Sequence, residues 1–413
     1  MKIKDLFTKS NKKKLCDLIM SVGAVVVFNM VIQLFIYPFI ANRLGNEGFG
    51  AVRSMMAFTS ITAGSLGVAA NYSRMMTEKE HSPANSNYVY ILLIGSLLCA
   101  ALGVGYMSGL GELSVLSAPL FAILIILTAY RYYSDVEFRM RTNFFGYMVF
   151  YLAIAAGYAV GTLVYLVTNE WFLAFIVGEA AGILFVIIRG SIYKNAFGKP
   201  DGSAKKVLSS MSYLLFSTLM ENLTLNADGL VLVAFCGEEA VAVFYTASLL
   251  GKVIAMLSAP LNSIIISYIV KSNARLTAKF FTVAVFAVSA LGVLAFAVCR
   301  IASPIFIGIF YPLLVEQTAP VLSAAILGQI FYFISGILLI VLLKFNGEKR
   351  QFFINSVYCA EYFVIVVALT ALFGTIGFVT GTLIANAIRF FGVVLLGYFS
   401  VAVAKKKAAE QKN

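Results

Sequence analysis

The sequence predicts an all-α membrane protein with twelve transmembrane helices in two six-helix halves. Three observations carry that prediction. Of 413 residues, 61% are hydrophobic and 12% charged, whereas soluble domains run about 45–50% apolar and about 25% charged. The chain holds twelve apolar runs, each near the roughly 20 residues of helix that cross a hydrocarbon core about 30 Å thick. Its basic residues alternate between successive connections, as membrane topology requires.

The first six runs are Leu18–Ala41, Ala51–Ala70, Tyr88–Ser108, Leu113–Tyr130, Phe145–Thr168 and Glu170–Ile192. The second six are Leu208–Phe235, Val241–Ile269, Lys279–Cys299, Thr318–Leu343, Phe352–Phe373 and Ile376–Val403. Between spans nine and ten, Ile301–Val315 is apolar but interrupted by Pro304, Gly308 and Pro312. It reads as an extension of span nine plus an outer re-entrant turn, because it is too short and too broken for another crossing. The polar stretch with Gly198, Lys199, Pro200, Asp201 and Gly202 is the one natural linker. It divides the chain into an N-terminal half (1–193), a linker (194–207) and a C-terminal half (208–413).

Of the 31 Lys and Arg, 26 fall in the N-terminal segment, the C-terminal segment and the alternate loops that share their side. Arg43, Arg53 and Arg300 fall on the opposite side, and Lys252 and Arg389 lie inside spans. The asymmetry predicts that both termini are cytoplasmic and that the number of crossings is even. It also accounts for the net charge of +12 without a nucleic-acid partner.

Other chemistry has too few parts. Cys16, Cys99, Cys236, Cys299 and Cys359 are far apart, and the single histidine, His81, lies in a polar loop, so neither a disulfide framework nor a His-based metal or triad site is expected. The first apolar run is too long for a signal-peptide core and lacks an Ala-x-Ala ending. The short loops leave no room for a soluble catalytic domain, and no metal or organic cofactor is implied.

The halves repeat weakly. Leu44-Gly45-Asn46-Glu47 matches Cys236-Gly237-Glu238-Glu239 at an offset of 192, which also sets Asn29 over Glu221; Ser117-Ala118-Pro119 matches Thr318-Ala319-Pro320 at 201. Both halves start on the same side, so the repeat is parallel, with a pseudo-twofold along the membrane normal. Transporters place substrate at such an interface and rock one half against the other.

Ionisable groups inside spans cost about 2.5–3.5 kcal/mol each unless paired or wet. Here they are Glu179, Glu221, Asp228, Lys252, Glu361 and Arg389. On a straight helix, Ser217, Glu221, Thr224 and Asp228 share one face, widened by Thr218, Asn222 and Asn226. Asn29 and Gln33 form a smaller stripe on span one. These residues are expected to line a central aqueous cavity, with Arg53, Lys252 and Arg389 offering cations to an anionic substrate. Glu361 with Arg389 reads equally as a salt bridge that staples two helices. Glu179, within Gly178-Glu179-Ala180-Ala181-Gly182, reads as a proton or sodium relay or as a packed, protonated carboxyl. Glu179, Glu221, Asp228 and Glu361 are the candidates for coupling to H+ or Na+.

The junction Leu44-Gly45-Asn46-Glu47-Gly48-Phe49-Gly50 resembles the "LG-x-E-x-(Y/F)-G" motif of polysaccharide transporters, members of the multidrug/oligosaccharidyl-lipid/polysaccharide (MOP) flippase superfamily. Tyr130-Arg131-Tyr132-Tyr133 through Phe138-Arg139, and Phe306-Ile307-Gly308 through Ala319-Pro320, are similar to the same family in the same order. The resemblance implies a two-lobed flippase of the bacterial cytoplasmic membrane. It would move undecaprenyl-diphosphate-linked oligosaccharide to the outer leaflet for capsule, O-antigen or exopolysaccharide assembly, with membrane lipid and other polysaccharide-assembly proteins as partners. The family tends to have a cationic lumen, whereas here four acidic residues within spans outnumber two basic ones. The acidic span seven is the feature that suits a multidrug or cation antiporter of the same superfamily. A membrane-embedded glycan polymerase is disfavoured by short outer loops that lack histidine.

Overall fold

The computed structural model describes residues 23–81, 83–111, 113–256, 277–346 and 348–410, and their side chains except at 78–81, 343–346, 348–353 and 404–410. Outside the described residues lie Cys16, the N-terminal lysines, the start of span one (18–22), the end of span eight (257–269), Lys271, Arg275 and Lys412. Outside the described side chains lie His81 and the basic residues at 79, 344, 349, 350 and 405–407.

Among the described residues all regular structure is helical. After residues 23–31 and a π turn at Ile32–Ile36 come α1 (Tyr37–Thr59), a second π turn at Ser60–Gly64, and α2 (Ser65–His81). Then follow α3 (Asn85–Gly109), α4 (Ser117–Ser134), the short α5 (Val136–Met140), α6 (Phe144–Thr168) and α7 (Phe172–Arg189). The second half contains α8 (Ala204–Leu225), α9 (Ala227–Cys236), α10 (Glu238–Met256), α11 (Ala278–Phe310), α12 (Val315–Thr318), α13 (Leu322–Asn346) and α14 (Glu348–Glu410).

Among the described residues, eight helical stretches are long and apolar enough to cross a membrane, and the bent pair α8–α9 makes a ninth. Two of the nine, Gly23–Thr77 (55 residues) and Ile354–Val403 (50 residues), are of double length. Each is broken at a glycine with positive φ, Gly45 at 75° and Gly374 at 60°, backbone conformations that strain side-chain-bearing residues by about 1–3 kcal/mol. With the 18-residue α4, every one of the twelve expected runs has a helix over its described part. Gly237, the repeat partner of Gly45, also has a positive φ of 83°. The matched glycines therefore serve the same purpose, turning the chain before a helix. Ile301–Val315 extends span nine as expected: α11 runs through Pro304 for 33 residues, and a one-turn 3-10 helix at Pro312–Leu314 leads into α12.

The chain forms two compact units. Unit 1 comprises 1–43 and 54–229, and unit 2 comprises 44–53 and 230–413. This partition differs from the covalent halves in two segments. Residues 208–229 join unit 1 together with the linker, and there α8 packs along α2: Ser65 Oγ donates to the Thr218 carbonyl (3.1 Å), and Thr218 Oγ1 donates to the Ser65 carbonyl (3.1 Å). Residues 44–53 join unit 2, where Phe49 is fully buried between Tyr245 and Tyr311, with ring centroids 5.8 and 5.7 Å away. A Cβ at Gly50 would overlap the Glu238 carbonyl.

Within unit 1, α6 packs along α7. The small residues of 178–182 permit it, with Gly178 beneath the Tyr158 ring and Gly182 against Ile154. Within unit 2, α13 packs along α14 and α10. The two halves of α14 fold back on each other at Gly374, bringing Gly377 onto the Leu369 carbonyl and Gly381 onto Val366. The linker is bonded to the start of α3. Asp201 accepts from the Ala84 N–H (2.8 Å), Asn87 Nδ2 (2.6 Å) and the Ser203 N–H (2.9 Å), and Asn85 Nδ2 donates to the Lys194 carbonyl (2.8 Å).

Two outcomes follow. Gly50→Ala should destabilise the protein by about 1–3 kcal/mol through overpacking, whereas Gly105→Ala, with nothing within 4 Å of the new Cβ, should be neutral; thermal melting in detergent compares them. The bonds from Ser203, Ala84 and Asn87 hold the Asp201 carboxyl well below the usual carboxylate range. The stability it contributes is therefore present above the ordinary unfolded pKa of about 3.9 and is lost as pH falls below it. Protease cleavage at 194–203 should rise on acidification in the native protein, and Asp201→Asn should show that raised cleavage already at pH 7.

Candidate functional site

Residues 44–53 present a cation to unit 2. Asn46 Nδ2 donates to Gln317 Oε1 (2.9 Å), and Gln317 Nε2 donates to Glu239 Oε1 (2.6 Å), which fixes the start of the segment. With Phe49 seated and Gly50 in backbone contact, the next turn of α1 lays the Arg53 guanidinium 3.9 Å from the centroid of the Tyr245 ring. Arg53 is 8% exposed and Tyr245 2%. Lys252, two turns beyond Tyr245 on α10, puts its Nζ 5.3 Å from the same ring and 5.4 Å from Phe244. Two of the three cations predicted from sequence thus meet at one tyrosine, where a desolvated cation–π contact is worth about 2 kcal/mol.

The third, Arg389, stands apart on α14. Its guanidinium lies 4.5 Å from the ring centroid of Tyr332 and 4.4 Å from that of Tyr358. The Tyr358 hydroxyl donates to Asn386 Oδ1 (2.6 Å), which holds the ring in place. Arg389 Nε and Nη1 are buried and have no hydrogen-bond partner among the described residues, and the same is true of Glu361 Oε1. No ion pair joins Glu361 to Arg389 among the described residues, so the stapling salt bridge is corrected: Arg389 lays its guanidinium against tyrosines and leaves Nε and Nη1 without a partner.

Glu179 receives a definite partner. Arg131 Nε donates to Glu179 Oε2 (2.7 Å), and the Tyr158 hydroxyl donates to Glu179 Oε1 (2.6 Å). The guanidinium also lies 3.6 Å from the Tyr132 ring centroid, and both charged side chains are nearly inaccessible. Arg131, counted from sequence among the loop cations because it follows an apolar run, is therefore a buried residue of unit 1. The missed signal was Glu179 itself, an acid in a span with no partner yet assigned.

The single polar face expected on span seven is corrected as well. The helix breaks at Asn226, and α8 and α9 are bent by 55°, so Asp228, 3% exposed, does not continue the line of Ser217 and Glu221. Those two residues are exposed. Asn222 turns to the other side, its Nδ2 donating to Ser65 Oγ (2.9 Å), so it joins helices rather than facing open space. Asn29 Nδ2 donates to the Val25 carbonyl of its own helix (2.8 Å), and Gln33 is buried in the first π turn.

Breaking the Arg131–Glu179 pair should cost more than replacing it. Glu179→Gln strands a buried guanidinium and should destabilise by about 3–5 kcal/mol, while the double variant Arg131→Met with Glu179→Leu, which removes both charges, should recover most of that loss. Melting temperatures of the two variants against the native protein test this.

No protein-family model and no curated protein matches the chain. Solved structures do. The inward-facing conformation of a multidrug resistance MATE family transporter of the MOP superfamily superposes with a TM-score of 0.68 at 12% identity, over 94% of this chain and 99% of that one. Lipid II flippase MurJ in its inward closed conformation superposes at 0.65 and 16% identity, over 94% and 87%. The Vibrio cholerae MATE transporter VcmN in its bent form superposes at 0.56 and 14% identity, over 94% and 95%. Over almost its full length, this chain has the all-α fold that MATE transporters of the MOP superfamily share with the flippase MurJ.

Proposed function

We propose that the chain is a flippase for an undecaprenyl-diphosphate-linked oligosaccharide, working by alternating access in a bacterial cytoplasmic membrane with both termini inside. The reading is carried by Arg389, a cation within a span whose Nε and Nη1 are buried without a hydrogen-bond partner among the described residues. The buried guanidinium of Arg131, by contrast, is paired with Glu179. Leaving donors unspent in hydrocarbon is costly, and a diphosphate is the complementary group, able to accept two parallel N–H bonds from guanidinium. Arg53 and Lys252, gathered on Tyr245, supply a second cationic position in the same unit.

A diphosphate-sugar headgroup cannot cross hydrocarbon alone, because the desolvated charge costs too much. Fixed cations lower that cost while the polyprenyl tail stays in lipid, and binding drives alternation to the extent that affinity differs between the two states. The fold shared with a lipid II flippase and the ordered motifs that resemble polysaccharide transporters support the oligosaccharide over a soluble cargo. Transport by the two halves, 1–193 and 208–413, remains part of this proposal. Glu221, Asp228 and Glu361 are the H+ or Na+ coupling candidates in it; Glu179 is assigned instead to Arg131.

In a host dependent on this gene, Arg389→Gln and the double variant of Arg53→Gln with Lys252→Gln should each lower glycan export by about ten- to a hundredfold, the worth of a lost charge-assisted bond of about 1.5–3 kcal/mol. Lipid-linked oligosaccharide should accumulate on the inner leaflet while membrane insertion is unchanged. Normal export in both variants would refute the assignment, and drug efflux abolished by Glu221→Gln with export intact would favour the antiporter.

A further inference from the structure

Beyond the transport residues, unit 1 carries a cavity of about 370 Å³ where α5, α6 and α7 meet, lined among others by Glu137, Arg141, Phe145, Val149, Phe185 and Arg189. That volume is within the range of small-molecule sites, about 300–1,000 Å³. We infer that it binds the headgroup of an anionic phospholipid from the leaflet on that side, with Arg189 as the phosphate ligand.

The acid in the cavity is already committed. Glu137 Oε2 accepts from the backbone N–H of Ser191 (2.8 Å) and Ile192 (3.1 Å), and its Oε1 lies 2.9 Å from Arg141 Nη2. Arg141 divides that Nη2 between Glu137 and Ser191 Oγ (2.7 Å). Arg189 is different: it is exposed and makes no hydrogen bond or ion pair among the described residues. With Glu137 balanced by Arg141, the cavity keeps one net positive charge and a complete guanidinium fork, the geometry that suits phosphate.

The surroundings specify a lipid. Leu184, Ile187 and Ile188, on the same last turns of α7 as Arg189, are 55%, 53% and 75% exposed, and Phe145 is 62% exposed. Apolar side chains this open belong in hydrocarbon, so Arg189 stands where the apolar stretch ends and headgroups begin. Phe145, Val149 and Phe185 then offer an apolar wall to the glycerol and first methylenes of a bound lipid. Basic pockets between transmembrane helices at such a level recognise anionic headgroups.

The test uses the purified full chain in detergent and reads melting temperature against added dioleoyl-phosphatidylglycerol, dioleoyl-phosphatidylcholine or soluble glycerol 1-phosphate. Phosphatidylglycerol should raise the melting temperature saturably, and the other two should not. Arg189→Gln should melt like the native protein without lipid, since it breaks no internal bond, and should need about five- to tenfold more phosphatidylglycerol for the same shift. Val149→Trp, which fills the cavity and leaves the charges, should weaken the response likewise, whereas Lys205→Gln on α8 should not. Equal shifts from both phospholipids, an undiminished response in Arg189→Gln, or the same shift from glycerol 1-phosphate would each overturn the assignment. Glycan export with an unaltered Arg389 reports separately on the transport reading.

Discussion

A charge placed in hydrocarbon must be met by a partner, an aromatic face or water, and the arrangement of this protein depends on how each of its intramembrane charges is met. Arg131 and Glu179 meet each other and are completed by Tyr158. Arg53 and Lys252 meet the face of Tyr245. Arg389 meets the faces of Tyr332 and Tyr358, which satisfy its charge in part but leave Nε and Nη1 without an acceptor among the described residues. The three solutions form a series from full neutralisation to partial accommodation, and a ligand is most useful at the least complete one. In the proposed transport cycle a buried, matched ion pair is poorly suited to exchange partners, because separating it costs several kcal/mol.

The same logic governs the backbone. In a membrane every N–H and C=O must be bonded within its segment, so departures from straight helix are confined to places that supply a reason. The positive φ at Gly45, Gly237 and Gly374 supplies one, since glycine alone enters that region without steric cost. The bend after Leu225 has a different origin: Asn226 Nδ2 caps the Asn222 carbonyl at 3.0 Å, which consumes an acceptor where the helix stops. Two devices, a glycine turn and an asparagine cap, thus account for the breaks at Gly45, Gly237, Gly374 and Asn226.

Much of this was legible in the residues. Apolar run lengths located the helices because burial in lipid tolerates few charges, and the Leu-Gly-Asn-Glu and Cys-Gly-Glu-Glu repeat located two junctions whose backbones agree. Arg53 and Lys252 were recognisable by charge and depth as cations at or within spans, but their meeting at Tyr245 was not. What escaped was pairing at long range. Arg131 follows an apolar run and reads as a loop cation; only the fold places Glu179, 48 positions away, beside it. The helical wheel failed on span seven because its arithmetic assumes a straight axis, and a single asparagine in a polar-rich stretch gives no warning that the axis turns. Asn222 and Glu221 are neighbours in sequence with opposite fates, one bonded to Ser65 and one exposed.

The course of the chain between its units has a mechanical consequence. The polar stretch that looks like a flexible tether is tied by Asp201 and Asn85 to the start of α3, and the helix after it still belongs to unit 1. The passage into unit 2 comes at Gly229–Leu230, three residues beyond Asn226 and in the middle of an apolar run. Severing the polypeptide at the hydrophilic loop would therefore not yield two self-sufficient fragments. The downstream piece would begin with a helix whose docking surface, Ser65 included, had been left on the upstream piece, and reassembly would require that helix to find its seat in trans.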